Sequence, residues 1–181
     1  LIGQGCNRIS EIAARIEKPV TSLTRPLSRL LDLGLIRREQ PFKVSQQSTK
    51  KTLYRIDDPF LALWFRYVEP NRSRLEAGKI QAVARGIEKD LSIHRGEIWE
   101  ALARRSVARL AIEGREWGAA SRWWGRGLDK GPLELDVVAE SVDGKALLVG
   151  EVKWTVDERE LDRAMYDLRK KTERLPLSGG Y

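Results

Sequence analysis

Asp136, Glu151 and Lys153 are the residues whose types and spacing could do chemistry. The runs LELDVVAES and KALLVGEVKW flank Val142-Asp143-Gly144-Lys145. Asp-Gly between two apolar-rich runs is a strong hairpin signal and favours a two-residue turn. With Val142 opposite Lys145, each opposed pair of residue numbers sums to 287, so Asp136 faces Glu151 and Glu134 faces Lys153. Side chains alternate along a strand, which sets all four on one face beside the apolar Val138, Leu147 and Val149. Directly opposed Cβ atoms lie about 4.5–5.5 Å apart, and like charges so placed repel. The pair Asp136 and Glu151 therefore calls for a cation. Lys153 offers one diagonally. A hard divalent ion such as Mg2+ or Mn2+ offers more, because such ions take one or two carboxylates and fill their other positions with water and phosphate oxygens. The plainer alternative is a surface charge ladder in which Glu134 and Lys153 form an ordinary cross-strand pair.

The elements that must position these groups follow from periodicity. The stretch GEIWEALARRSVARLAIEG reads as a helix with Trp99, Leu102, Ala103, Val107 and Leu110 as its core stripe, Glu100 at the stripe's edge and Gly114 as its end. A strand is expected around Trp123 and Trp124, ahead of the hairpin. DERELDRAMYDLRKKTERL reads as a closing helix, and Arg169, Lys170 and Lys171 suit its carboxyl end by complementing the helix dipole. His94, the one histidine, is expected in a loop before Gly96.

The amino-terminal part reads differently. Ser10 precedes EIAARI, whose Ile12, Ala13 and Ile16 share a helical face. Thr21 can cap a second helix with Leu23, Leu27, Leu30 and Leu31 on its inner face and Gly34 at its close; Pro26 within it also allows a start near Thr24. Its outer face carries Ser22, Arg25, Ser28 and Arg29. LIRRE and TLYRI then make a β-ribbon with a basic tip at Lys43, Lys50 and Lys51. Helix, turn, helix, ribbon is the winged-helix order, in which Arg25 and Arg29 would lead into a major groove while the wing lysines touch phosphates. After Asp58-Pro59, the aromatic run FLALWFRYV is expected to be a buried connecting helix, with Phe60, Trp64, Phe65 and Tyr67 packed in a core, followed by the polar helix KIQAVARGIEKDLS. The expected domains are 1–58, a winged helix-turn-helix whose first segment reads like the tail of an earlier helix; 59–95, a helical connector; and 96–181, a catalytic-type α/β unit.

Composition bounds the function classes. The chain has 181 residues, 41% of them hydrophobic, and a net charge of +7. Residues 1–58 hold eleven Lys/Arg against six Asp/Glu, and the rest 22 against 20, so the basic excess lies at the amino-terminal end, as expected of a part that meets a phosphate backbone. The lone Cys6 excludes an internal disulfide and a cysteine zinc site, and fits a reducing compartment; the cytoplasm is the expected location. No apolar run reaches the roughly 18–20 residues of a membrane span. With one histidine and one cysteine, Ser-His-Asp and Cys-His mechanisms lack candidates. No G-x-x-x-x-G-K-[ST] loop is present, so ATP binding by that route is not expected.

An Asp at the end of a strand, a turn, then Glu-x-Lys in the next strand, behind a helix with an acid, resembles the PD-(D/E)XK nuclease superfamily. The matching residues are Asp136 and Glu151-Val152-Lys153, with Glu100 in GEIWEAL as the helix acid. The chain is also similar over nearly its full length to the carboxy-terminal region of a family of archaeal-type ATPases. There a winged helix, an Asp-Pro-aromatic helix like DDPFLALWFRYV and a G-x-x-W-E helix precede a nuclease-like domain. The resemblance implies that Asp136 and Glu151 ligate Mg2+ or Mn2+, that Glu100 assists the metal or its water, and that Lys153 orients the attacking water and stabilises developing phosphate charge. The family pattern continues into another strand after the closing helix, whereas this chain reads LPLSGGY there. The expected fold is of the α+β or α/β class: a winged helix-turn-helix followed by a small restriction-endonuclease-like domain. The expected function is metal-dependent DNA phosphodiester hydrolysis. The alternative is a catalytically silent DNA-binding or partner-docking region of an ATPase, with DNA, or the ATPase domain of a longer protein, as partner.

Overall fold

The computed structural model describes residues 1–44, 51–154, 157–177 and 181. It is a mixed α+β arrangement with two small antiparallel sheets, of two and three strands, and it divides into two compact units. The first comprises Leu1–Glu39 and Gln47–His94, the second Gln40–Gln46 and Arg95–Tyr181.

In the first unit, helix α1 spans Ile9–Arg15 and α2 spans Thr24–Asp32, with a 3-10 turn, Val20–Leu23, before α2. Ser10 lies inside α1 rather than at its cap; the Glu11 carboxylate instead accepts the Arg8 N–H at 3.2 Å, satisfying one of the donors that a helix start leaves open. Thr21 does not cap α2. The Ser22 hydroxyl closes the 3-10 turn by donating to the Pro19 carbonyl at 2.7 Å, and Pro26 falls in the first turn of α2, where its missing N–H costs nothing. Strands β1 (Ile36–Glu39) and β2 (Leu53–Ile56) pair antiparallel, with Arg37 opposite Arg55. Ile12, Ala13, Leu23, Leu27, Ile36 and Tyr54 bury together with Cys6, so the apolar stripes of both helices meet the ribbon.

Beyond the Asp58 cap, whose carboxylate accepts the Leu61 N–H at 2.8 Å, α3 (Pro59–Leu63) runs into a π-helical turn, Trp64–Val68. The aromatic run is not the buried rod that its composition suggests. Tyr67 is buried, its hydroxyl donating to the Asp90 carbonyl at 3.0 Å, whereas Phe60, Trp64 and Phe65 are exposed. A short α4 (Arg72–Glu76) follows, then the long α5, Ile80–Val107, which continues through Gly86 and Gly96 without a break. His94 therefore lies within a helix, buried, with its ring edge-on to Tyr67 at 6.0 Å between centroids.

In the second unit α5 ends at Val107, one turn and a half earlier than its period suggests, and Gly114, at φ 68°, serves a small turn bridging Ile112 and Arg115. Strands β3 (Ser121–Arg126), β4 (Pro132–Glu140) and β5 (Leu147–Gly150) form an antiparallel sheet in that order, and α6 spans Glu158–Glu173. One face of the sheet buries Trp123, Leu133, Leu135 and Val138 with Leu175; the other buries Val137 and Ala139 with Val107 and Trp117. Of the expected core stripe, Trp99, Leu102 and Leu110 are each more than 40% exposed and Ala103 is half-buried, while Val107 at the helix end is buried.

Candidate functional site

The β4–β5 register has the predicted sum: Val137 pairs with Gly150, Val138 with Val149, and Ala139 with Leu148. The turn is nonetheless not the two-residue type. The Ser141 N–H donates to the Ala146 carbonyl and the Gly144 N–H to the Ser141 carbonyl, both at 2.9 Å, so Val142–Lys145 is a four-residue loop with Gly144 alone at positive φ. The Asp143 carboxylate accepts the Ser141 hydroxyl at 2.6 Å, which holds that acid below its ordinary range. Closing on 141 and 146 leaves the same sum as closing on 142 and 145. Asp136 and Glu151 therefore still come together, one step past the last ladder pair.

Strand β4 carries an irregularity at this point. Leu135 pairs with Trp123 but Val138 pairs with Ser121, so Asp136 and Val137 together oppose the single Arg122. Such a bulge inserts one residue, re-aims side chains and leaves a ladder group unpaired. It explains why Leu133 and Leu135 share a face with Val138 although their numbers differ in parity. The backbone carbonyl of Asp136 is met by the Arg104 guanidinium on α5, at 2.9 Å, and that side chain is only 10% exposed. Arg104 also lies 3.6 Å from Glu100, one helical turn back. The Asp136 carboxylate accepts the Val152 N–H at 3.0 Å.

Three carboxylates thus interact. Burial raises Glu100 above the ordinary carboxyl range, the charge of Asp136 raises it further, and the nearby Arg122 and Arg104 offset part of this. Burial likewise raises Glu151, against the opposing pull of Lys171, with Asp136 both a charged neighbour and a hydrogen-bond partner. Lys171 on α6 donates to Glu151 at 2.5 Å. The oxygens of Asp136 and Glu151 suit a hard divalent ion, and one oxygen of each is already held by a protein donor. Among the described residues no three His, Cys, Asp or Glu side chains form a cluster that could hold a metal ion, so a cation here would rest on two carboxylates.

Other expected site residues fall elsewhere. Glu134 does not face Lys153, because β5 ends at Gly150; Glu134 pairs with Trp124 on β3, and its carboxylate forms an ion pair with Arg122. Lys153 follows with an exposed side chain, its carbonyl accepting the Trp99 indole N–H at 3.1 Å. In the first unit Ser22, Arg25, Ser28 and Arg29 are exposed along one stretch, as is Lys51, while Lys50 lies outside the described residues. Lys43 belongs to the second unit, where it donates to Glu140 at 2.9 Å and to the Tyr181 hydroxyl; its charge is matched within the protein rather than offered to a phosphate as a wing lysine would be.

Sequence reasoning missed two residues, Arg104 and Lys171. Lys171 had a signal: it lies three residues after Leu168 and four before Leu175, both packed in the core, and so shares an apolar stripe where a charge needs a partner. Arg104 stands one turn beyond Glu100.

Comparison with known proteins adds a family but no activity. Residues 64–164 match the family DUF234, archaeal and bacterial proteins of unknown function. The chain is 29% identical over 180 residues to the uncharacterized protein MJECL04 of Methanocaldococcus jannaschii, covering 97% of this chain and 39% of that protein. No solved structure matches. No helix among the described residues is long and apolar enough to cross a membrane.

Proposed function

This chain belongs to the DUF234 family of archaeal and bacterial proteins, and on that premise we propose that it binds DNA and hydrolyses phosphodiesters with a divalent cation, Mg2+ or Mn2+. The observation that carries the reading is the meeting of Asp136 and Glu151 beside a desolvated Glu100, a concentration of carboxylates set against Arg104, Arg122 and Lys171. In this reading the first unit is a winged helix-turn-helix that presents Arg25 and Arg29, with Ser22 and Ser28, to the duplex, and the second has a PD-(D/E)XK nuclease-type fold. Asp136 and Glu151 would hold the cation. When bound, a divalent ion lowers the pKa of a water and neutralises charge on the phosphoryl group. Glu100, whose carboxyl burial raises above its ordinary range, is suited to exchange a proton with the attacking water. Lys153, exposed two residues beyond Glu151, is suited to steady that water and the phosphate oxygens. Lys171 fixes the Glu151 carboxylate.

Incubation with plasmid, linear and branched DNA in Mg2+ or Mn2+, beside Asp136→Ala and Lys153→Ala, tests this. Cleavage by the parent protein that both variants lose supports the enzyme; no cleavage of any substrate rejects it for this chain. A second reading is favoured by length: the chain spans 39% of the relative named above, which fits one region of a larger protein, and by the resemblance drawn from the sequence that region would be the carboxy-terminal part of an archaeal-type ATPase, binding DNA or a partner domain without catalysis.

A further inference from the structure

Two tryptophans flank the candidate site in sequence and meet in space. Trp99 immediately precedes Glu100 on α5, and Trp154 stands three residues after Glu151. Their rings are edge to face, 5.7 Å between centroids and 88° between planes, yet 42% of Trp99 and 52% of Trp154 remain exposed. The Trp99 indole N–H is used, donating to the Lys153 carbonyl at 3.1 Å, so Trp99 braces the segment that carries Lys153. Trp154 has the Arg95 guanidinium 5.8 Å from its ring centroid. An aromatic pair kept half in water is a loss of apolar burial that folding alone does not explain.

We propose that Trp154, braced by Trp99 and with the Arg95 guanidinium at its ring, is a stacking platform for an unpaired nucleobase, so that the DNA bound at this site is single-stranded or locally unpaired. The inference rests on the function proposed above and narrows its substrate class. Charge selects the occupant: the Arg95 guanidinium stands at the ring and the exposed Lys153 precedes it in the chain, as a polyanion requires and an apolar peptide does not. In a duplex the bases are stacked on one another and cannot cover the indole, whereas an unpaired base offers a π-face to any aromatic, largely whatever its sequence.

The test separates binding from cleavage by using the Asp136→Ala background in EDTA. A dT oligonucleotide and a blunt duplex of equal length are titrated, with anisotropy and tryptophan emission as readouts. The expected result is quenching by dT, a roughly tenfold loss of dT affinity in Trp154→Ala, near-parental affinity in Trp154→Phe, and duplex affinity unchanged in both. Equal losses for dT and duplex, no loss for dT, or no rescue by Phe would overturn the platform. None of those results bears on whether the protein with Asp136 intact cleaves DNA, and an inactive protein that still shows the pattern would retain the platform while rejecting the hydrolase.

Discussion

Lys171 and Glu151, twenty residues apart on a helix and at the end of a strand, form the ion pair that holds the acidic centre together, at 2.5 Å with Glu151 only 12% exposed. Removing one partner of a half-buried pair leaves the other uncompensated. Lys171→Met is expected to lower stability by about 2 kcal/mol. In the double variant with Glu151→Gln the loss should be smaller than the two single losses added. Chemical denaturation of all four proteins measures the coupling, and strictly additive losses would show that the two side chains do not depend on one another.

Burial raises Glu100 and Glu151 above the ordinary carboxyl range, so folding strengthens proton binding at each. The sign follows. A carboxyl whose folded pKa is raised contributes stability below its ordinary value near 4.5, and that contribution is lost as pH climbs through the raised value. Glu100→Gln should therefore raise the melting temperature relative to the parent, in metal-free buffer, by an amount that grows from pH 4.5 to pH 7.5. A constant or shrinking difference across that range would contradict the assigned desolvation.

A cation that relieves the same crowding must act where the carboxylates are ionised. Millimolar Mg2+ or Mn2+ is expected to raise the melting temperature by a few degrees at pH 7.5 and by less at pH 5, with the effect gone in Asp136→Ala. Ca2+ is a useful third ion, since it reports oxygen ligation without requiring cleavage. An equal rise in Asp136→Ala would place the binding elsewhere.

Arg104 fills the gap that the bulge opens. Its replacement by Met keeps the aliphatic stem but abandons the Asp136 carbonyl, at an expected cost of about 1–3 kcal/mol. Hydrogen exchange should show faster opening around the bulge than in Arg105→Met, whose residue is one position off that contact; equal protection in the two variants would argue against a special role.

In the first unit, Arg25→Ala with Arg29→Ala is expected to weaken duplex binding and to reduce the slope of log affinity against log salt by about two, near 0.9 per phosphate contact. Titrations from 50 to 200 mM salt decide it. An unchanged slope would favour protein docking over DNA contact for that face.

Much of the candidate centre was legible because hairpin pairing is arithmetic. Asp143-Gly144 announces a turn between two apolar runs, and alternation along the strands does the rest. The bulge at Asp136 was not legible. It is set by the pairing of β4 with β3, two strands whose mutual register has no Asp-Gly signature, and it exchanges the faces that Glu134 and Val138 would otherwise share. Burial was the harder quantity. Helical period names a face of α5 but not which part of that face meets the sheet, so Val107 is covered while Trp99 and Leu102 are not. The same limit applies to Phe60, Trp64 and Phe65, whose spacing marks a helix and says nothing of what lies against it. The chain's one histidine sits within α5 because the residues on either side of Gly96 form helix well enough to carry the glycine, at a cost of about 1 kcal/mol.

The loop from Val142 to Lys145 has an implication for how this hairpin tolerates change. Because the pairing is closed by Ser141 and Ala146, residues added between Val142 and Lys145 lengthen the loop and leave the acids face to face, while one added within a strand, between that closure and Asp136 or Glu151, turns a carboxylate toward the opposite layer. Relatives that keep the chemistry are therefore expected to vary this loop freely in length while holding the spacing from Asp136 to Ser141 and from Ala146 to Glu151, a rule readable from sequence alone.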